Sequence, residues 1–319
     1  MRVLVTGASG FVGKHLCRVF EASGVEIVRA VRNPQPGAVT VGNIDRSTDW
    51  TYALHGITHI VHLAARAHLM NDAATDPLAE FRKVNVDGML NLARQAAKAG
   101  VKRFIFISSI KVNGEATQPG HPFTADDPPV PMDSYGISKR EAEDALGRLA
   151  HETGLEVTVI RSPLVYGPGV GANFLRLMRL AASGIPMPLG SVDNRRSLVY
   201  VGNLCDLISK CLVSPAAAGK TFLVSDGRDV STPELFRVLA AAQHKKARLF
   251  PMPAGILKLA GRLTGRSAET ERLCESLQVD ISHTREILGW TPPFTLEEGI
   301  RKTVEPYLST SPKSVQSIE

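Results

Sequence analysis

Near the N-terminus an apolar run, Val3-Leu4-Val5, turns directly into Thr6-Gly7-Ala8-Ser9-Gly10-Phe11-Val12-Gly13, a TGxxGxxG pattern with the look of a strand leading into a helix. Glycines at this spacing permit a tight turn, let backbone N–H groups approach a pyrophosphate closely, and allow the helix to pack against the strand, with the phosphate charge at the helix N-terminus. Three glycines alone also fit an ordinary strand-to-helix turn. Their position straight after an N-terminal strand favours dinucleotide binding.

The chain behind that turn keeps an α/β rhythm. Ile27-Val28, Ile60–Leu63, Phe104–Ile107 and Val157–Ile160 read as further strands, too uniformly apolar to be half exposed. Helix patterns near 11–23, 77–99 and 134–153 lie between them, which predicts a doubly wound parallel sheet of the Rossmann type. After Pro163 the pattern loosens, and Gly and Pro punctuate 167–190. Ser231-Thr232-Pro233-Glu234 and Thr295-Leu296-Glu297-Glu298 read as capping boxes of a smaller, mainly helical substrate domain. Two apolar runs, Ser197–Val201 and Thr221–Val224, are expected to return to the sheet. The expected division is therefore 1–166 plus about 191–225 for the dinucleotide domain, 167–190 and 226–308 for the substrate lid, and a flexible tail at 309–319.

At 319 residues with 44% hydrophobic and 21% charged residues, the composition is that of an ordinary globular chain. No apolar run reaches the roughly 18 residues of a membrane span, and the short N-terminal run lacks a secretory core, so the expected location is cytoplasmic. Cys17, Cys205, Cys211 and Cys274 form no CxxC pair or zinc-ligand pattern and read as thiols in a reducing compartment. The net charge of +6 is spread along the chain without aromatic-interleaved motifs, which points to an acidic small substrate and away from nucleic acid. Residues 249–263 combine apolar and basic positions, which is expected to mean packing of a lid helix, with membrane-surface contact as the alternative.

Two further clusters carry chemistry. Ser108-Ser109 end a strand candidate, and Tyr135 and Lys139 stand four apart at the start of a helix candidate that follows Pro128-Pro129-Val130-Pro131. An ammonium beside a phenol favours the charged form and brings an ordinary pKa of about 10 nearer working range.

TGASGFVG at 6–13, HLAA at 62–65, NVDG around Asn85, SS at 108–109, YGISK at 135–139, RSPLVYGPG at 161–169 and LGWTP at 288–292 together resemble the extended short-chain dehydrogenase/reductases, the NAD(P)-dependent epimerase/dehydratase family. SSIKVNGE at 108–115 and NRRSLVYVGNL at 194–204 resemble its 4-ketoreductases acting on UDP-linked 4-keto-6-deoxy-N-acetylhexosamine in surface-polysaccharide assembly. The resemblance implies that Ser109 hydrogen-bonds the reacting sugar oxygen, Tyr135 exchanges its proton and Lys139 holds the nicotinamide ribose. It further implies that Gly7, Ser9, Gly10, Phe11, Val12 and Gly13 cradle the cofactor, and that Leu63, Ala64 and Ala65 pass beneath it. Pro163 and Val165 would shape the nicotinamide pocket, and Asn85 would orient a link to Lys139 or serve as a helix-face polar residue. Asn173, Phe174 and Arg196 would grip the nucleotide diphosphate, and Lys111 would face substrate or solvent. Homodimerisation through the helices near 77–99 and 134–153 is implied as well, with Leu78, Phe81, Leu146 and Leu149 available either for that contact or simply to cover the sheet.

The departures from the family pattern shape the expected chemistry. Where NAD enzymes keep an acid for the ribose hydroxyl, this chain has Val31-Arg32, and the adenine-side acid is replaced by Asn43 before Ile44. An arginine attracts a 2′-phosphate, so NADP(H) is expected ahead of NAD(H). Ile110 and Lys111 replace the Asp-Glu pair of sugar-nucleotide dehydratases, which removes the acid and base that dehydration needs. A family tyrosine near this strand end is replaced by Asn113. The leading expectation is therefore an NADPH-dependent reductase of a UDP-linked keto sugar. A UDP-hexose or UDP-N-acetylhexosamine 4-epimerase with retained NAD is the alternative, and a catalytically silent dinucleotide sensor the third.

Overall fold

The computed structural model describes residues 1–66, 76–118, 120–265 and 267–310. Strands β1 (Arg2–Thr6), β2 (Glu26–Val31), β3 (Val39–Thr40), β4 (His59–His62), β5 (Arg103–Ser109), β6 (Glu156–Ser162) and β9 (Lys220–Leu223) form one sheet in the order β3-β2-β1-β4-β5-β6-β9. Every pairing in it is parallel. The chain winds outward from β1 in one direction and from β4 in the other, so the topological switch point lies between them, where ligands of open α/β sheets bind.

Both faces of this sheet are covered, which explains its uniformly apolar strands. Val3, Val5, Val61 and Ile105 pack against the helices Phe11–Ala22 and Val201–Val213. Leu4, Ile60, Phe104 and Phe106 pack on the other face with Trp50, Met89, Leu92, Leu146 and Leu149. Phe81, Leu146 and Leu149 are thus buried inside the protein itself and offer no apolar surface to a second copy, and Leu78 is only half buried. Leu146 and Leu149 belong to the cluster that covers the sheet.

Two other expectations change. Thr221–Val224 does return to the sheet, as β9 at its edge, but Ser197–Val201 does not. Its strand β8 (Leu198–Tyr200) pairs with β7 (Leu164–Tyr166) in a separate parallel pair. Leu198, Val199 and Tyr200 are buried there, so an apolar run identified a buried strand without identifying its partner. The helix pattern near 77–99 is interrupted by a π-helical segment, Lys83–Gly88, between Pro77–Arg82 and Met89–Lys98. The capping box at 295–298 forms in full, and the one at 231–234 forms by half, with Glu234 turned to Arg228. Ser231 accepts from the Glu234 amide, and Thr295 and Glu298 cap each other's amides. Cys17, Cys205 and Cys211 are buried free thiols and Cys274 is half buried, each with its pKa raised mainly by burial.

Candidate active site

Glycine is required twice in the first turn. Gly7 has φ +66°, and a Cβ there would sit 2.8 Å from the Ala64 nitrogen; at Gly13 a Cβ would lie 2.2 Å from the Gly7 carbonyl oxygen. Gly10 donates to the Gly7 carbonyl at 2.9 Å and caps the helix Phe11–Ala22 without any side-chain acceptor. The first-turn amides of that helix therefore keep their capacity for an anion.

The turn opens onto a cleft of about 760 Å³. Gly7, Ser9 and Gly10 line one wall, Leu63, Ala64 and Ala65 a second, and Arg32, Asn43 and Ile44 a third. Nine residues expected to hold a dinucleotide are thereby brought together. Phe11, Val12 and Gly13 stand behind this lining, with Phe11 packed edge-on against His15 at 5.5 Å. Pro163 is buried between β6 and β7 and Val165 packs half buried against the core, both away from the cleft lining.

Beneath the cleft, Thr6 and His62 tie β1 to β4 through a 2.9 Å Oγ1–Nδ1 hydrogen bond, and the Ala64 amide donates to the same hydroxyl. Burial, helped by the Lys139 charge, pushes the His62 pKa down to about 3 and keeps the ring neutral. Asn85 lies on the π-helical segment and is buried. Its Oδ1 accepts from the Arg66 amide at 2.8 Å, and its Nδ2 donates to the Arg66 carbonyl and to Ser138 Oγ at 3.0 Å. It clamps the segment after β4 to the helix Ser134–Thr153 and bonds Lys139's neighbour, not Lys139.

That helix carries Tyr135 and Lys139. Asp133 caps it by accepting from the Gly136 amide, and a Cβ at Gly136 would be 2.8 Å from the Lys111 carbonyl oxygen, so the helix start lies directly on the turn after Ser109. Lys139 is buried, donates to the Ile107 carbonyl at 2.8 Å, and stands 4.4 Å above the Phe106 ring and 6.0 Å from the Tyr135 ring. Burial lowers its pKa to about 8 against the opposing pull of Glu143. Tyr135 behaves differently from expectation. Its burial and the nearby Asp133 carboxylate push the phenol up to about 12, outweighing any lowering by Lys139. Ser109 ends β5 half buried and accepts a 3.3 Å hydrogen bond from the Lys111 amide.

Three residues expected to touch substrate are engaged by the protein's own groups. Lys111 forms ion pairs with Asp133 and, at 3.3 Å, with Glu115, so its charge is engaged at the foot of the helix Ser134–Thr153. Phe174 is a core side chain stacked on Tyr166 at 5.1 Å, while its neighbour Asn173 is exposed at the start of the helix Ala172–Ser183. Arg196 is half buried, with Nη1 donating to the Arg272 and Glu275 carbonyls. Burial and the Arg272 charge lower its pKa.

A buried network behind the site joins residues that the sequence motifs do not link to one another. Glu143 accepts from Ser108 and binds Arg161 bidentately, with its Nη2 at 2.7 Å; Arg161 reaches Asn113 Oδ1 at 3.0 Å, and Asn113 donates to the Thr124 carbonyl. Asn113 is therefore an internal tether. In sequence Arg161 opens RSPLVYGPG and Asn113 stands in SSIKVNGE, whereas Glu143 is only a Glu one helical turn beyond Lys139.

Comparison with known proteins fits this geometry. Residues 3–225 match the model of the NAD dependent epimerase/dehydratase family. The chain belongs to that family. It is 50% identical to a UDP-glucose 4-epimerase of Vibrio cholerae over 97% of this chain and 96% of that protein. At 28% identity it is similar to the N-acetyl-alpha-D-glucosaminyl-diphospho-ditrans,octacis-undecaprenol 4-epimerase of Escherichia coli O157:H7, covering 95% and 94% of the two chains. Among solved structures, the UDP-glucose 4-epimerase of Thermotoga maritima with UDP-glucose superposes with a TM-score of 0.76 at 26% identity, covering 97% of this chain and 99% of that one. MoeE5 in complex with UDP-glucuronic acid and NAD gives 0.78 at 25% identity, covering 98% and 100%.

The family is NAD(P)-dependent, and the chain is an enzyme of the short-chain dehydrogenase/reductase type. The expected ketoreductase activity is overturned by the half-identical epimerase that matches nearly end to end. The physical reason is that loss of the dehydratase acid pair at Ile110 and Lys111 removes dehydration only, and does not separate reduction from epimerisation. Arg32, which had weighed toward reduction, is an exposed residue on the cleft rim. No helix among the described residues is long and apolar enough to cross a membrane.

Proposed function

We propose that this protein is a UDP-hexose 4-epimerase, acting on a UDP-hexose or UDP-N-acetylhexosamine pair with retained NAD⁺. The observation that carries the reading is the 50% identity, over nearly the whole of both chains, with a UDP-glucose 4-epimerase. The residues fit a dinucleotide. Gly7 and Gly13 leave a cradle that a Cβ would fill, and the uncapped helix start faces pyrophosphate chemistry. NAD is favoured over NADP because epimerisation returns to the sugar the reducing equivalents it removes, and because MoeE5 binds NAD.

When bound, the dinucleotide supplies the acceptor and then the donor of hydride at sugar C4. The chain's own groups manage the proton and the position. Tyr135 takes the proton of the C4 hydroxyl as the bond to hydrogen is oxidised and gives it back when the other face is reduced. Ser109 steadies the same oxygen by hydrogen bonding. Lys139 is the buried cation beside the phenol, and it holds the ribose. To act as that base Tyr135 must first give up its own phenolic proton, and the Lys139 ammonium, 6.0 Å from its ring, is the cation placed to favour the ionised form. Asn173 and the free part of the Arg196 fork are the candidate diphosphate contacts.

The test is one purified batch, denatured to identify released nucleotide and assayed with UDP-glucose and UDP-N-acetylglucosamine. Released NAD⁺ and conversion of either substrate to its C4 epimer, with no net oxidation of added NADPH, is the expected outcome. Absence of interconversion in both pairs would sink the reading.

A further inference from the structure

The helix Ala254–Leu263 is apolar on both of its faces. Leu257 and Gly261 face inward, and Gly261 is the point of closest approach to the helix Ser267–Cys274, since a Cβ there would strike Thr270. The outward face carries Ile256, Leu259 and Leu263, which are 53%, 56% and 81% exposed. At 3.6 residues per turn these three fall within about 60° of one another. Phe250, 41% exposed, precedes the helix and is hydrogen-bonded into the segment 187–190 through Met187 and Gly190. An amphipathic lid helix should turn its polar side outward, and this one does not.

The charge around the patch says what covers it. Between residues 241 and 265 there is no Asp or Glu, while Lys245, Lys246, Arg248, Lys258 and Arg262 all fall in that window. Lys245, Lys246, Arg248 and Arg262 are exposed, and Lys258 is paired with Glu275. Exposed aliphatic side chains on a segment whose own charges between 241 and 265 are all positive have the chemistry of an interfacial helix on an anionic bilayer. A second copy of the same face would bring like charges together. We propose that this face docks the enzyme on an anionic phospholipid surface, with Ile256, Leu259 and Leu263 entering the headgroup boundary and the basic border meeting lipid phosphates. The docking is independent of which sugar the cleft accepts.

The test uses the full-length protein and sedimentation with vesicles of phosphatidylglycerol and phosphatidylethanolamine, against vesicles of phosphatidylcholine alone. The wild type should sediment with the anionic vesicles, lose binding as salt is raised, and stay in solution with phosphatidylcholine. The variant Ile256→Ser, Leu259→Ser, Leu263→Ser should bind about tenfold less or weaker still, with its epimerase turnover unchanged because none of the three lines the cleft. A second variant, Lys245→Glu, Lys246→Glu, Arg248→Glu, leaves the helix untouched and should lose the anionic preference. Failure of the wild type to bind anionic vesicles overturns the proposal, as does undiminished binding by both variants. Sedimentation velocity decides the remaining case: a wild-type dimer that dissociates in the serine variant assigns this face to a second copy and also overturns it.

Discussion

At the scale of the residue, Tyr135 and Lys139 have opposite problems. The phenol is held protonated near 12, and the ammonium is buried at a cost that lowers its pKa to about 8. Tyr135→Phe removes the proton carrier while leaving the glycine turn and the Lys139 bond to Ile107 in place. Turnover should fall about 10²–10⁴-fold. Nucleotide content of the purified variant should match the wild type, measured by release on denaturation. For Lys139 the sign runs toward higher pH. Between about 8 and 10.5 the unfolded chain binds more protons than the folded one, so this group's contribution to stability rises with pH across that window and is least favourable below it. A shift of this size corresponds to about 3 kcal/mol, and loss of the bond to Ile107 gives back about 1 kcal/mol. Lys139→Met should therefore be inactive yet more heat-stable than wild type at pH 7, with the gap closing toward pH 10.5 in calorimetry. Ser109, Tyr135 and Lys139 were legible in the sequence because their chemistry lies in residue type and local spacing. What engages Lys111 and Phe174 was not legible, because Asp133 and the Tyr166 ring, 22 and 8 positions away, reach them through packing that residue spacing does not show.

At the scale of the element, periodicity located the helix after β4 but could not show its π-helical interruption, since one widened turn leaves the apolar pattern nearly unchanged. That segment carries Asn85, whose amide satisfies both backbone groups of Arg66 and reaches Ser138. Asn85→Leu strands those partners, and we expect a loss of about 1–3 kcal/mol in denaturant melts. Weakened nucleotide retention should accompany it, because the same bonds hold the segment that follows Ala64 and Ala65. The ion pair of Glu143 and Arg161 joins the helix to β6 in the same way, with both side chains under a tenth exposed. Arg161→Met leaves the Glu143 carboxylate buried without its cation and should cost about 3–5 kcal/mol. Adding Glu143→Leu should recover a substantial part of that loss, since two apolar groups no longer pay for a buried charge. Equal melts for the single and double variants would show that the pair contributes by shape alone. Neither contact could be read from the sequence, since a motif position such as Asn85 or Arg161 does not name a partner 18 or more positions away.

At the scale of the whole molecule, the sheet was legible because its strands are covered on both faces and therefore read as continuous apolar runs, and the switch point between β1 and β4 follows from the winding. What the sequence left ambiguous was the direction of the chemistry, because oxidation, reduction and epimerisation at one carbon draw on the same serine, tyrosine and lysine. The cleft rim bears on that choice through Arg32, whose side chain is exposed and accordingly contributes little discrimination against an uncharged ribose hydroxyl in water. Nucleotide-free protein titrated with NAD⁺ should melt several degrees higher, since ligand at about a hundred times its dissociation constant adds about 2.7 kcal/mol to the folded state. NADP⁺ at the same concentration should give a smaller rise, and Arg32→Asp should widen the difference by repelling the 2′-phosphate. A larger rise with NADP⁺ in the wild type, abolished in that variant, would mean that Arg32 grips the phosphate and that the cleft is built for a cofactor exchanged at every turnover.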